Sequence, residues 1–406
     1  MVKFISCPTF GSFLLACLFL LACNNKTSSY LNPLHARILM HAKIFKACVI
    51  DKCVTWTKPK YGKAKIDKAG HILVNENSTE EEREEAMTIL NNRRSSHGYP
   101  MNTFQARLRQ VSKKVDENSL VVQRLKRAPS IIKKLKRNQT KTMSLSQMQD
   151  IAGCRVVLSD VDKVNKLVEI YRKSRGLKHK KIKEKDYIKN PKKDGYRSMH
   201  LIYRYKSDKI NTYDGLLIEI QVRSKIQHAW ATAIEIVDLF TKQAIKSNEG
   251  DEEWKEFFRL VSSAFAKIEK QKEVENTPAN NLELFNAIKE KVDKLKIFSK
   301  MDSWTQALKV IEPKLKEWKF FLLELDVSDE TKPNLSIRGY PEEGETIATE
   351  HYLEAEKLQS NSKDKDVVLV GANSVEELKK AYLNYFANSK EFLGYLKFYL
   401  EKRGEI

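Results

Sequence analysis

Eight residues, Leu216 to Arg223, constrain this chain more than any other stretch. Their apolar and polar positions alternate with a period of two. In an extended strand, alternate residues share a face. Leu216, Ile218, Ile220 and Val222 therefore fall on one side, and Leu217, Glu219, Gln221 and Arg223 on the other. One face suits a core. The other lines up a carboxylate, an amide and a guanidinium. Alternation alone also describes a half-exposed strand with a solvated face, so the neighbouring motifs have to decide.

Asp150 opens a second apolar run, IAGCRVVL, in which Gly153 permits close backbone approach and Arg155 interrupts the hydrophobic residues. Charged groups at the edge of a core strand are costly unless paired or bound. Asp150 and Glu219 together could hold Mg²⁺, which takes one or two carboxylates plus water and phosphate oxygens. A third stretch is basic: Lys183, Lys185, Lys189, Lys192 and Lys193 lead into the Asp194-Gly195 turn signal, with Tyr196, Arg197 and His200 just beyond. Cations suit polyphosphates, and a tyrosine face can stack a base.

These residues resemble the RelA/SpoT family of guanosine polyphosphate synthetases. The resemblance rests on DIAGCR at 150–155, DYIKNPKKDGYRSMH at 186–200, and EIQVRS with His228 and Trp230 following, in that order, and covers roughly residues 90–240. It implies transfer of pyrophosphate from ATP to the ribose 3′-hydroxyl of GDP or GTP, giving ppGpp or pppGpp. It also implies a nucleotidyltransferase-like α+β fold with a mixed sheet. Asp150 and Glu219 would be the catalytic carboxylates and Mg²⁺ ligands. Arg124, Lys126, Lys134, Arg137 and Arg155 would bind ATP, with Arg124 and Arg155 sandwiching the adenine. Lys185, Lys192 and Arg197 would neutralise phosphate charge. Tyr196 would stack on guanine, and His200, Gln221 and His228 would orient the guanine nucleotide. Arg223 is either a site residue or a structural ion-pair partner.

The remaining chain sets the context. A length of 406 residues allows two or three domains, and no GxxxxGK[ST] P-loop occurs. The net charge of +20 suits polyanions: nucleotides, RNA or an anionic membrane face. The resemblance leaves two rival readings, a relative that moves pyrophosphate to the 3′ end of tRNA and a non-catalytic nucleotide sensor. Members of the resembled family with both activities carry an N-terminal His-Asp hydrolase domain; this sequence has no His-Asp dipeptide and a stretch before residue 90 that is short for such a domain, so the resemblance implies synthesis without hydrolysis.

Residues 1–39 read as a signal-like leader or a misassigned start, with Met40 the alternative and Cys23 in a lipoprotein-like box. The expectation is a cytoplasmic protein, membrane-associated only if the leader is real. Cys48 and Cys53 lack nearby histidines, and Cys154 reads as a small core hydrophobe.

An extension over 40–77 precedes the synthetase domain at 78–245. A helix begins after the Ser78-Thr79 cap with an acidic first turn, and another covers 103–114. In 121–137, Pro129 suits the first turn of a helix with Ile131, Ile132 and Leu135 as its stripe. A helix at 161–174, strands at 200–206 and 216–223, and a helix from about His228 complete the domain. A helical connector at 246–310 leads to a small α/β accessory domain at 311–406, with strands at 320–327, 334–340 and 366–372, that could regulate, form a homo-oligomer or bind a partner.

Overall fold

A computed structural model of the chain describes residues 56–137, 143–174, 178–241, 251–307, 309–311, 318–329, 332–359, 362, 364–372, 378–379 and 389–405. The leader, Cys23, Met40, Cys48 and Cys53 lie outside the described residues.

Among the described residues three helices come first: α1 (Lys63–Val74), α2 (Glu80–Ser95) and α3 (Gly98–Val115). α2 starts where Thr79 and Glu82 close a reciprocal capping box, which satisfies two amides that the helix itself cannot. Strand β1 (Leu120–Leu125) and helix α4 (Ala128–Arg137) follow, then β2 (Ala152–Leu158), α5 (Val161–Lys173), β3 (Lys180–Asp186), β4 (Met199–Arg204), β5 (Leu217–Ser224) and α6 (Lys225–Thr241). Two of these strands were not foreseen. β1 lies just ahead of the helix that Pro129 opens, and β3 was read as a basic loop. The residues of β3 from Lys180 to Ile182 are exposed, so no apolar alternation marks it.

The sheet is mixed, as expected. β2 runs parallel to β5, with Gly153 opposite Glu219 and Arg155 opposite Gln221. β4 is antiparallel to β5, with His200 opposite Gln221. β1 is antiparallel to β2. On one face, Ile218, Ile220 and Val222 join Phe104, Leu108, Val164 and Leu167 in a continuous core. Burial of such side chains contributes about 1.5–3 kcal/mol each and pins the register, because a one-residue slip would reverse the strand's faces.

Beyond β5 come α7 (Glu252–Ile268), α8 (Asn281–Leu295), α9 (Ile297–Ala307), β6 (Lys309–Ile311), β7 (Phe320–Asp326), β8 (Asn334–Tyr340), α10 (Glu345–Gln359), β9 (Lys365–Gly371) and α11 (Lys390–Glu401). The C-terminal strands extend the same sheet. Its order is β3-β4-β5-β2-β1-β9-β7-β8-β6, and the junction is the antiparallel pairing of Gln123 with Gly371 and of Arg124 with Val370. Val122 on β1 shares a core with Ile236 and Phe240 of α6 and with Phe321 and Val370. Trp254, Phe257, Phe258, Leu260 and Phe265 of α7 form a separate aromatic-rich core with α6 and α11.

Candidate active site

The polar face of β5 opens into a cleft of about 730 Å³ bounded by β1, α4, the ends of β2 and β3, the 187–196 loop, α6 and α7. Of the site residues named from sequence, all but Arg197 and His228 line it.

On one side stands Asp150. Lys126 Nζ is 3.1 Å from one carboxylate oxygen and Lys134 Nζ 2.8 Å from the other. Burial alone would raise the Asp150 pKa. The two ammonium groups outweigh it and hold the carboxyl well below the usual range. Burial also lowers the Lys126 pKa, with Asp150 partly compensating. Arg124, Arg137 and Arg155 line the same wall.

On the other side a hydrogen-bonded chain crosses β4 and β5. Glu219 Oε1 lies 2.8 Å from His200 Nδ1, and His200 Nε2 lies 2.8 Å from the Tyr196 hydroxyl. Gln221 donates to Glu219 Oε2 at 2.8 Å, and Arg223 donates to the Tyr196 hydroxyl at 2.7 Å and to Gln221 at 3.2 Å. Arg223 is thus a support for Tyr196 within the cleft, stacked 5.1 Å from its ring centroid. Burial pushes the Tyr196 phenol up, but Arg223 and His200 bring it down to about 7. Burial disfavours the His200 imidazolium, yet the Tyr196 oxygen and the Glu219 carboxylate raise its pKa overall. Glu219 is lowered, because the bond and charge of His200 exceed the effect of burial.

The loop between β3 and β4 presents its cation through a tight turn. Gly195 adopts φ +93°, donates its amide to Lys192 O, and would bring a Cβ within 2.9 Å of Trp230. Only glycine takes that backbone region without strain. The turn sets Lys192 Nζ over the rings of Tyr187 and Tyr196, 4.9 and 4.6 Å from their centroids. Lys185 lines the cleft from β3 with its pKa lowered, chiefly by burial.

Arg197 points away from the cleft. Its guanidinium donates to Ser262 Oγ of α7 at 3.1 Å and to Ile188 O at 3.2 Å, and burial lowers its pKa to about 10. In an extended segment, residues 196 and 200 share one face and 197 takes the other. That parity was readable in YRSMH. His228 is buried on α6 and does not line the cleft. Tyr187 and Lys133 line it and were not singled out from sequence. Tyr187 continues the parity of Lys183 and Lys185, which was the available signal.

Among the described residues no group of three or more His, Cys, Asp or Glu gathers as a metal site. Asp150 and Glu219 line the cleft as two carboxylates. Such a donor set fits a hard cation that completes its shell with water and phosphate oxygens, and does not fit a structural zinc.

Fold and site define an α+β domain whose mixed sheet carries a cleft lined by cations, two carboxylates and tyrosines. Within it, residues 123–237 match the region found in RelA / SpoT proteins. Over 112 residues the chain is 32% identical to the GTP pyrophosphokinase YjbM of Bacillus subtilis, covering 28% of this chain and 52% of that protein. Over 113 residues it is 34% identical to the GTP pyrophosphokinase YwaC of the same organism, covering 27% and 52%. The chain thus spans about half the length of these curated relatives. Among solved structures, the small alarmone synthetase 1 of B. subtilis bound to its product pppGpp aligns with a TM-score of 0.37 and 24% identity, over 42% of this chain and 88% of that one. No helix among the described residues is long and apolar enough to cross a membrane.

Proposed function

We propose that this chain transfers pyrophosphate from ATP to the 3′-hydroxyl of GDP or GTP, releasing AMP and forming ppGpp or pppGpp. The observation that carries this reading is the two-sided cleft, with a lysine-bound Asp150 on one side and the Glu219–His200–Tyr196 chain on the other. The matched relatives bear the name GTP pyrophosphokinase, which agrees with it.

The reaction demands that a hydroxyl and a highly charged diphosphate meet in line with their charge neutralised. Arg124 and Arg155 would hold the adenine, and Lys126, Lys134 and Arg137 the donor phosphates. Lys185 and Lys192 would neutralise charge at the acceptor side, where Tyr196 offers its ring to guanine and His200 and Gln221 orient the nucleotide. Glu219, held ionised, would polarise the 3′-hydroxyl and accept its proton as the oxygen attacks the β-phosphorus of ATP and the bond to the α-phosphate oxygen breaks. Mg²⁺ held by Asp150 and Glu219 would supply charge neutralisation to the phosphates. Arg197 and His228, turned out of the cleft, would support it from behind.

The test is an assay of the full chain with γ-labelled ATP, Mg²⁺ and GDP, GTP or deacylated tRNA, beside Asp150→Asn and Glu219→Gln. Label on GDP or GTP, lost in both variants and with chelator, supports the proposal. Label on tRNA alone replaces it with a translation-blocking activity, and binding with no transfer replaces it with a sensor.

A further inference from the structure

The C-terminal segment grips the backbone that carries the cations of the donor side. Glu356 of α10 is 7% exposed and binds at four points. Arg94 of α2, fully buried, donates to its two oxygens at 2.7 and 3.2 Å. The Tyr352 hydroxyl donates to Oε1 at 3.0 Å. The amide of Ala128, the first residue of α4, donates to the same oxygen at 2.9 Å.

Arg94 also donates from Nε to the carbonyl of Lys126 at 2.9 Å. Residues 126 and 128 are therefore fixed on either side of Arg127, and Arg127 itself pairs with Asp366 of β9. Two residues before Lys126, Arg124 is paired in the ladder with Val370 of β9.

These contacts converge on one short stretch. Lys126, at the junction of β1 and α4, lines the cleft, as do Arg124 just before it and Lys134 and Arg137 on the helix that Ala128 starts. An anionic side chain on the first amide of α4 satisfies a donor that the helix leaves orphaned and favours the positive end of its dipole. Glu356 accordingly sets where α4 begins and how it is aimed, and with it the distance from Lys134 to Asp150.

We propose that Glu356, acting through Arg94 and the Ala128 amide, is a positioning residue for the donor-nucleotide cations, so that α10 and β9 complete the ATP side of the cleft. The proposal rests on the transfer reading for the identity of the donor. It concerns only the β1–α4 wall. The side chains of Glu219, His200 and Tyr196 bond to one another and to Gln221 and Arg223, so that side is not expected to respond.

The test is calorimetric binding to the full chain of a non-hydrolysable ATP analogue and, separately, of GDP. Glu356→Ala should raise the dissociation constant of the analogue by about tenfold or more, the scale on which loss of a supporting shell acts. GDP should stay within about twofold, as for a distant site. Glu356→Gln, which keeps an oxygen for the Ala128 amide, should recover part of the loss. Equal analogue binding in both variants overturns the proposal, and so does a parallel loss for both nucleotides. Where Glu356→Ala fails to fold because Arg94 is left unpaired, Glu356→Gln decides alone, and wild-type analogue affinity in it overturns the proposal. A wild-type chain that binds no analogue defeats the transfer reading itself. A chain that binds it without transferring label defeats that reading only, and the Glu356 comparison still stands.

Discussion

Gly153 and Glu219 face each other across the parallel β2–β5 pair, and a Cβ on Gly153 would stand 2.7 Å from the Glu219 carbonyl oxygen. Glycine here is a demand of close backbone approach. The residue it presses on carries the carboxylate that His200 and Gln221 hold. Gly153→Ala should force the two strands apart, cost about 1–3 kcal/mol by overpacking, and reduce pyrophosphate transfer by at least about tenfold through displacement of Glu219. Thermal unfolding and steady-state rates check both halves. A variant with wild-type rates would show that the contact does not fix the carboxylate.

Asp150 separates two lysines that repel each other without it. Asp150→Asn keeps the shape and removes the charge, leaving the Lys126 and Lys134 ammonium groups unneutralised at the cleft wall. Transfer should fall by about a hundredfold or more, and stability at neutral pH by about 1–3 kcal/mol. The pH dependence has a definite sign. The folded pKa of Asp150 is depressed, so its contribution is fully present above the ordinary carboxylate pKa and is lost as pH falls toward the folded value. Urea unfolding of wild type and Asp150→Asn should therefore differ by a constant amount from pH 6 to 8 and converge only in strong acid. Convergence near neutrality would contradict the pairing.

The Tyr196 hydroxyl sits between Arg223 and His200 and titrates near pH 7. One tyrosine should ionise about three units below the ordinary value, visible as tyrosinate absorbance and absent in Tyr196→Phe. Because the folded value is depressed, its contribution to stability is complete above about pH 10 and is lost as pH falls through about 7. His200 runs the opposite way: its raised pKa contributes stability below about 6.5 that is lost as pH rises through the folded value. The two slopes have opposite sign, so each masks part of the other near neutral pH. His200→Gln should uncover a rise of stability with pH. A tyrosine spectrum unchanged until pH 10 would remove the basis for both statements.

The strand that carries Glu219 was legible because one of its faces is buried and the other lines the cleft, which leaves a strict period of two. β7, β8 and β9 were legible for a different reason: their apolar runs placed them within a residue or so. β3 was illegible for the converse reason: it is an edge strand with exposed lysines, and no apolar residues alternate through KKIKEKD. β1 sits directly ahead of a basic helix, so its short apolar run was overshadowed by the cations that follow. Long-range relations leave no local pattern at all. Nothing near residue 124 announces pairing with residue 370, and nothing near Glu356 announces Arg94. Arg197 was grouped with its neighbours by motif, although the parity of an extended segment turns it from Tyr196 and His200.

Arg197 and Lys192 therefore separate stability from binding. Both were expected to neutralise phosphate. Arg197 is buried, with Ser262 and the Ile188 carbonyl as its partners, and its removal leaves those acceptors to find other donors in a site without free water access. Arg197→Ala should lower stability by about 2 kcal/mol or more, given charged hydrogen bonds at both ends, while a folded fraction binds GDP with nearly wild-type affinity. Among the described residues the Lys192 ammonium is held by two tyrosine rings at the cleft, an arrangement worth about 1 kcal/mol to the fold. Lys192→Ala should leave the melting temperature nearly unchanged and weaken GDP by about tenfold, more at low salt than at high salt, since an exposed cation is screened. Titrating GDP into both variants at two ionic strengths, with melting curves in parallel, reads the contrast directly. Loss of GDP affinity in a stably folded Arg197→Ala protein would return that guanidinium to the phosphate-binding set and require the loop at 187–198 to turn over when nucleotide binds.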